Sequence, residues 1–299
     1  MNYLLRSMLF VPAYKEKFLE KASCCDADAI IFDLEDSVPE GKRKEARQVL
    51  KGCLDKGIFD GRQLFIRVNR LGSEDLSEDL KLIKGSQIMG IVVPKISGAA
   101  DIAGFAELLE ECERREGMNF GCLKLLPLIE NARAVMNVQE IAGCSERIIA
   151  LLFGGEDYLD SIWGKHGEPP KAFEVPRAMI VMAARMYGLL PIDTPYLDLK
   201  NEKGFLEEEG EACSLGFAGA LLVNPIQIPW ANQCFSPSQA EREYASEVMD
   251  AVEAMYRAGE SVAMLNGQMI GPPMIKRACK VLELERMIRE KEERSHERR

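Results

Sequence analysis

Acidic side chains recur where short apolar segments of the chain end. Ala29–Leu34 (AIIFDL) carries Asp33 and runs into Glu35 and Asp36, Gln63–Asn69 (QLFIRVN) carries Arg67, and Gly90–Lys95 ends in Lys95. Lys124–Glu130 ends in Glu130, Ile149–Gly154 runs into Gly155, Glu156 and Asp157, Leu189–Thr194 holds Asp193, and Ala220–Pro225 holds Asn224. Brought to one rim, such carboxylates repel one another and either shift their pKa values or recruit a cation. No Cys or His accompanies them in these segments. All-oxygen ligation then points to a hard divalent ion, Mg²⁺, with Mn²⁺ as the alternative. Glu130 and Asp157 are the ligand pair, since they follow successive apolar segments and Gly154-Gly155 lets backbone and ligand approach closely. Arg67, a guanidinium among acids, suits a bound substrate anion. Asp33, Glu35 and Asp36 have a competing role, because carboxylates at such ends often cap the next helix or pair with a nearby Arg or Lys.

The chain has only two His: His166 in a polar loop (WGKHGEPP) and His296 in a charged tail, both read as surface residues. Ser-His-Asp triads and His-rich zinc sites need a well-placed His, so the chemistry must rest on carboxylates, Arg, Lys or a metal. A net charge of −10 disfavours nucleic acid and anionic membrane, which select basic patches. Small anions need only a few local Arg or Lys and stay open as ligands. Nine Cys with no C-x-x-C pair read as reduced thiols in a cytoplasmic chain. The N-terminal MNYLLRSMLFVP is too short and too soon interrupted for a signal peptide. No apolar run approaches the ~18 residues of a membrane span.

The elements that must position these groups follow from the same segments. With Ser7–Pro12 they make eight strand candidates, each continuously hydrophobic, as parallel strands covered on both faces are. Helical spacing lies between them at Lys15–Cys24, Gly41–Leu54, Ile102–Glu116, Ala132–Ile141 and Val175–Tyr187. Alternating strands and helices imply right-handed crossovers, and eight strands in this length predict an α/β fold, a (β/α)8 TIM barrel, over residues 1–235. A C-terminal helical extension, 236–299, is expected to pack on the barrel mouth or on a neighbouring subunit. It opens with Ser238 as N-cap and a helix whose Tyr244, Val248, Ala251, Val252 and Met255 share a face. A Gly-rich loop, Ala263–Pro273, and a last helix from Met274 follow.

An ordered set of motifs over nearly the whole chain resembles the citrate lyase β-subunit-like (CitE-like) group of the HpcH/HpaI aldolase superfamily. These are Arg6-Ser7 before LFVP, DLEDSV, FIRVN, VVPK, LPLIEN, GGED, PID, GFAGALLVNPIQI and GQMIGPP. The resemblance implies a metal at Glu130 and Asp157 and a substrate carboxylate gripped by Arg67. It also implies a CoA side of the pocket at Phe10, Lys17 and Lys21, and a further substrate edge at Ile192 and Asp193. The implied assembly is a homotrimer or larger. The implied reaction makes or breaks a C–C bond beside a thioester carbonyl, between a 3-hydroxyacyl thioester (citryl- or malyl-CoA-like) and a 2-keto acid such as oxaloacetate or glyoxylate plus an acetyl thioester. The thioester carrier is CoA or an acyl carrier protein.

Four positions depart from the family pattern. Gly271 stands where an Asp commonly supplies the acid/base, Ala13 where Gly is common, Ala220 where Lys is common, and Asn224 where His is common. Glu35, Asp36 or a metal-bound water is then left as the acid/base of an active lyase. The alternatives are a CoA-independent, metal-dependent 2-keto acid aldolase and a non-catalytic relative.

Overall fold

The computed structural model describes residues 3–39, 41–167, 170–259 and 261–297, with side chains through Ser295. Eight parallel strands close into a barrel in chain order. They are β1 (Ser7–Pro12), β2 (Ala29–Asp33), β3 (Gln63–Arg67), β4 (Ile88–Val93), β5 (Lys124–Ile129), β6 (Ala150–Phe153), β7 (Leu190–Asp193) and β8 (Gly219–Leu222). Closure comes where β8 pairs with β1, Ser7 opposite Ala220 and Leu9 opposite Leu222. The expected (β/α)8 barrel is therefore the fold.

Register and alternation divide each strand between two environments. Met8, Ile31, Phe65, Val92, Leu126, Leu152 and Leu221 share the inward parity and are fully buried. Leu9, Ile30, Phe32, Leu64, Ile66, Ile91, Leu125, Leu151 and Leu222 face outward into the helix layer. Both sets must be apolar, which is why the runs are continuous and not alternating.

The helix layer comprises α1 (Glu16–Ser23), α2 (Arg43–Asp55), α3 (Glu74–Leu80), α4 (Ala99–Glu116), α5 (Ala132–Met136), α6 (Val138–Gly143), α7 (Gly155–Ser161), α8 (Lys171–Met186), α9 (Glu202–Leu215) and α10 (Ile228–Cys234). Each packs by its apolar stripe; in α2 that stripe is Ala46, Leu50 and Cys53. The single helix expected over Ala132–Ile141 breaks at Asn137, whose side chain instead donates to the Ser97 carbonyl at 2.8 Å.

The chain divides into two compact units, one being Leu5–Phe235 and the other holding Ser236 onward with the first residues of the chain. In the second unit Ser238 caps α11 (Gln239–Ala258) through a capping box with Glu241. Ala245, Val248 and Val252 form its buried face, whereas Tyr244, expected there, is exposed. The expected Gly-rich loop is in part a hairpin of β9 (Ala263–Leu265) and β10 (Gln268–Ile270). Asn266 and Gly267, both at positive φ, make its two-residue turn. The last helix, α12 (Pro272–Glu297), starts two residues earlier than expected, with Pro at the helix start where a missing N–H does no harm. The side chain of His296 lies outside the described part. Among the described residues no helix is long and apolar enough to cross a membrane.

Candidate active site

The inward parity carries past the strand ends to a cavity of about 280 Å³ at the carboxyl end of the barrel. Phe10 of β1, Asp33 of β2, Arg67 of β3, Glu130 after β5, Gly154 after β6, Thr194 after β7 and Leu221 of β8 all line it. Glu156 and Asp157, in the first turn of α7, complete one wall.

Arg67 is held on several sides. Its Nε and Nη2 donate to the two Asp33 oxygens at 2.7 and 2.5 Å. Its guanidinium also lies 4.9 Å from the Phe10 ring centroid, a cation–π contact. Burial alone would push the Asp33 carboxyl up, but the Arg67 charge and hydrogen bonds outweigh it and hold it below its ordinary value. Nη1 has long contacts, 3.4 Å to Glu35 Oε2 and 3.5 Å to Asp36 Oδ2. Glu35 is buried, and its Oε2 has no hydrogen-bond partner. Burial pushes its carboxyl up to about 8 against the opposing charge of Arg67, with Asp36 adding to the rise. Asp36 is half exposed and also lies 3.4 Å from the Lys95 ammonium.

Glu130 and Asp157 meet at Lys95. The Lys95 ammonium is 3.0 Å from Asp157 Oδ2 and 3.8 Å from Glu130 Oε1, and the Lys95 backbone N–H donates to Glu130 Oε1 at 2.5 Å. Lys95 reaches this position through a left-handed backbone, φ 54°, unusual for a side chain with a Cβ. Burial pushes the Glu130 carboxyl up to about 7, with Lys95 opposing. Glu130 Oε2 is buried with no hydrogen-bond partner, and Asp157 is half exposed beside it. An unpartnered buried oxygen and an open carboxylate on one cavity fit a hard cation that takes two protein oxygens and completes its shell with water or substrate. Among the described residues no set of three or more His, Cys, Asp or Glu is arranged to hold a metal, so a cage supplied wholly by protein is not available. Gly154 makes the approach possible, since a Cβ there would lie 2.6 Å from the Glu130 Cβ.

Other expected positions lie elsewhere. Lys17 and Lys21 are exposed on α1 and do not line the cavity. Ile192 is fully buried and also off the lining. Asp193 has the outward parity, so its carboxylate turns to the helix layer, where Arg177 Nη2 sits 2.8 Å from Oδ2. The residues that do form this edge are Thr194 and Pro195, and Thr194 Oγ1 accepts the Gly155 N–H at 2.8 Å. Counting parity from Ile192 was the signal that would have found Thr194. Asp33, in the sequence one acid among several, is the clamp on Arg67. His166 is exposed and pairs with Glu156 Oε2 at 3.1 Å. Ala220 faces the helix layer, Asn224 caps the turn after β8 by accepting the Ile226 N–H, and Ala13 is fully buried.

Comparison with known proteins agrees with the barrel fold. The family model for HpcH/HpaI aldolase/citrate lyase matches residues 6–225. Citrate lyase subunit beta of Escherichia coli (strain K12) is 35% identical over 277 residues, 93% of this chain and 92% of that protein. A (3S)-malyl-CoA thioesterase of Cereibacter sphaeroides (strain ATCC 17023) is 33% identical over 265 residues, 89% of each chain. The crystal structure of CitE from Mycobacterium tuberculosis with magnesium, acetoacetate and coenzyme A superposes with a TM-score of 0.72 at 27% identity, covering 93% of this chain and 97% of that one. A match over most of the barrel and relatives spanning nearly the whole length place the chain in the HpcH/HpaI aldolase/citrate lyase family.

Proposed function

We propose that the chain is a Mg²⁺-dependent carbon–carbon lyase acting between a 3-hydroxyacyl thioester and a 2-keto acid plus an acetyl thioester. One observation carries the reading: Arg67, clamped by Asp33, opens onto the same cavity as Glu130, whose buried Oε2 lacks a partner, and Asp157. Glu130 and Asp157 would hold the cation, which when bound supplies Lewis-acid polarisation of a keto oxygen. Arg67 Nη1 binds the keto-acid carboxylate and fixes the direction from which the carbon partner approaches. Leu128, Leu221 and Val223 give the cavity an apolar wall that limits water around an enolate. Glu35, neutral below about pH 8 and 3.4 Å from Arg67, moves the proton at the enolate carbon. The relatives support the substrate class: a CitE from Mycobacterium tuberculosis has been solved with oxaloacetate and magnesium, and another crystal holds coenzyme A. A cytoplasmic homo-oligomer, a trimer or larger, completes the reading.

Calorimetric titration with oxaloacetate, glyoxylate and pyruvate, with and without Mg²⁺ and then with acetyl-CoA, tests it. The expected result is Mg²⁺-dependent keto-acid binding that tightens with acetyl-CoA. Binding indifferent to acetyl-CoA would instead indicate a free-acid aldolase. Absence of binding would indicate a chain that has lost the family's chemistry.

A further inference from the structure

Helix α7 begins without a cap from its own segment, because Gly154, the residue before it, has no side chain to offer. The acceptor for its first N–H comes from a different strand. Thr194, just past β7, takes the Gly155 N–H on Oγ1 at 2.8 Å. The first N–H groups of a helix have no partner within it, so an outside acceptor fixes where the helix starts. Both residues are buried, which keeps this bond out of solvent. The fit is close: a Cβ on Gly155 would lie 2.6 Å from Thr194 Oγ1 and 2.8 Å from Phe173 Cζ, so only a glycine lets the two backbones approach to this distance.

Thr194 is itself held from the other face of its strand. Its neighbour Asp193 turns to the helix layer, where Arg177 Nε donates to Oδ1 at 3.1 Å and Nη2 lies 2.8 Å from Oδ2. The same Nη2 donates to Glu208 Oε1 of α9 at 2.6 Å. The end of β7 is thus pinned behind, and Thr194, of opposite parity, faces the cavity. Asp157 follows Gly155 by two residues, in the first turn of α7, with its carboxylate half exposed. Among the described residues its ion-pair partner is Lys95, at 3.0 Å, the tip of a flexible side chain. The placement of the Asp157 carboxylate therefore follows the backbone that carries it.

We propose that Thr194 is a positioning residue for the cation site: its hydroxyl anchors the first turn of α7 and so sets Asp157 against Glu130. The inference rests on the reading that Glu130 and Asp157 hold the cation. Mg²⁺ and Mn²⁺ accept little error in ligand position. Loss of a group that orients a metal ligand typically weakens metal binding about 10- to 100-fold.

Mn²⁺ titration followed by electron paramagnetic resonance tests this on the native protein, T194V, T194A, T194S, D157A and T194V/D157A. Melting curves and circular dichroism run beside it select the folded variants. T194V keeps the shape and removes the acceptor, and should bind Mn²⁺ about 10- to 100-fold more weakly. T194S keeps the hydroxyl and should bind within about threefold of native. Where T194V does not fold, T194A against T194S isolates the hydroxyl in the same way. The double variant should bind no more weakly than D157A, because the hydroxyl acts through Asp157. Native affinity in T194V or T194A, with weak binding in D157A, would overturn the role of Thr194 and leave the cation reading standing. So would T194S as weak as T194V, or a double variant in which the two losses add. Native affinity in D157A would overturn the cation reading itself, and this inference with it.

Discussion

The proposed chemistry turns on Glu35, because it is the one acid beside Arg67 that is buried, raised to about 8 and left with an oxygen that has no hydrogen-bond partner. Asp33 is committed to Arg67, and Asp36 is half exposed. Glu35→Gln keeps the shape and removes the transferable proton. Turnover is expected to fall about 10²- to 10⁴-fold while keto-acid affinity changes little, a kcat effect without a matching KM effect. Stability gives an independent reading. A carboxyl whose folded pKa is raised favours the fold fully below its unfolded value of 4.5, and that contribution is lost as pH rises through about 8. The Tm of Glu35→Gln relative to the native protein should therefore climb between pH 4 and pH 9. A Tm difference that stays flat with pH would show that Glu35 is ionised in the fold.

At the scale of elements, the site depends on how closely β5 and β6 end together. A Cβ on Gly154 would sit 2.6 Å from the Glu130 Cβ, an atom fixed by the backbone, so the ends of β5 and β6 would have to move apart and carry Glu130 with them. Gly154→Ala should lower the Tm and weaken Mn²⁺ binding at least tenfold, read by electron paramagnetic resonance; native affinity would mean that Glu130 is not a ligand. A second brace lies outside the site. Glu113 of α4 accepts from Arg147 at 2.7 and 2.8 Å and from the Gly121 and Leu123 N–H groups, tying the segments that lead into β5 and β6. Burial pushes the Glu113 carboxyl up, but these donors outweigh it and hold it at about 2. Glu113→Ala leaves Arg147 buried without its partner and should cost about 3–5 kcal/mol in chemical denaturation. The carboxylate's contribution is complete above pH 4.5 and fades as pH falls toward 2, so the variant's deficit should shrink on acidification. The strands were legible because both faces are buried. Their ends were read one or two residues long because Glu130 and Lys95 already belong to the loops. Helix α9 was not singled out because its core stripe, Phe205, Glu209 and Ala212, has a buried carboxylate in the middle. The β9–β10 turn did carry a signal, Asn266-Gly267, masked by the glycines around it.

At the scale of the molecule, the question is whether Glu35 supplies the acid or position 271 is where an acid belongs. Gly271, just before α12, stands where the family resemblance implies an Asp. Nothing in the fold demands that glycine: Gly271 is not at positive φ, and a Cβ there would meet only Pro273 Cδ at an ordinary 3.6 Å. A glycine there is thus no steric requirement, and the barrel holds a buried, raised carboxyl of its own in Glu35. Restoring the acid separates the two possibilities. Gly271→Asp should melt within a few degrees of the native protein, since an unstrained substitution at a half-buried position with room for a Cβ typically shifts stability by no more than ~1 kcal/mol. If Glu35 serves the enolate, that variant's kcat stays within about twofold of native, because a second acid adds little where one already acts, and the double variant Glu35→Gln/Gly271→Asp remains as slow as Glu35→Gln alone. A tenfold rise in the single variant, or recovery in the double one, would assign the proton to residue 271 and leave Glu35 the task of orienting Arg67.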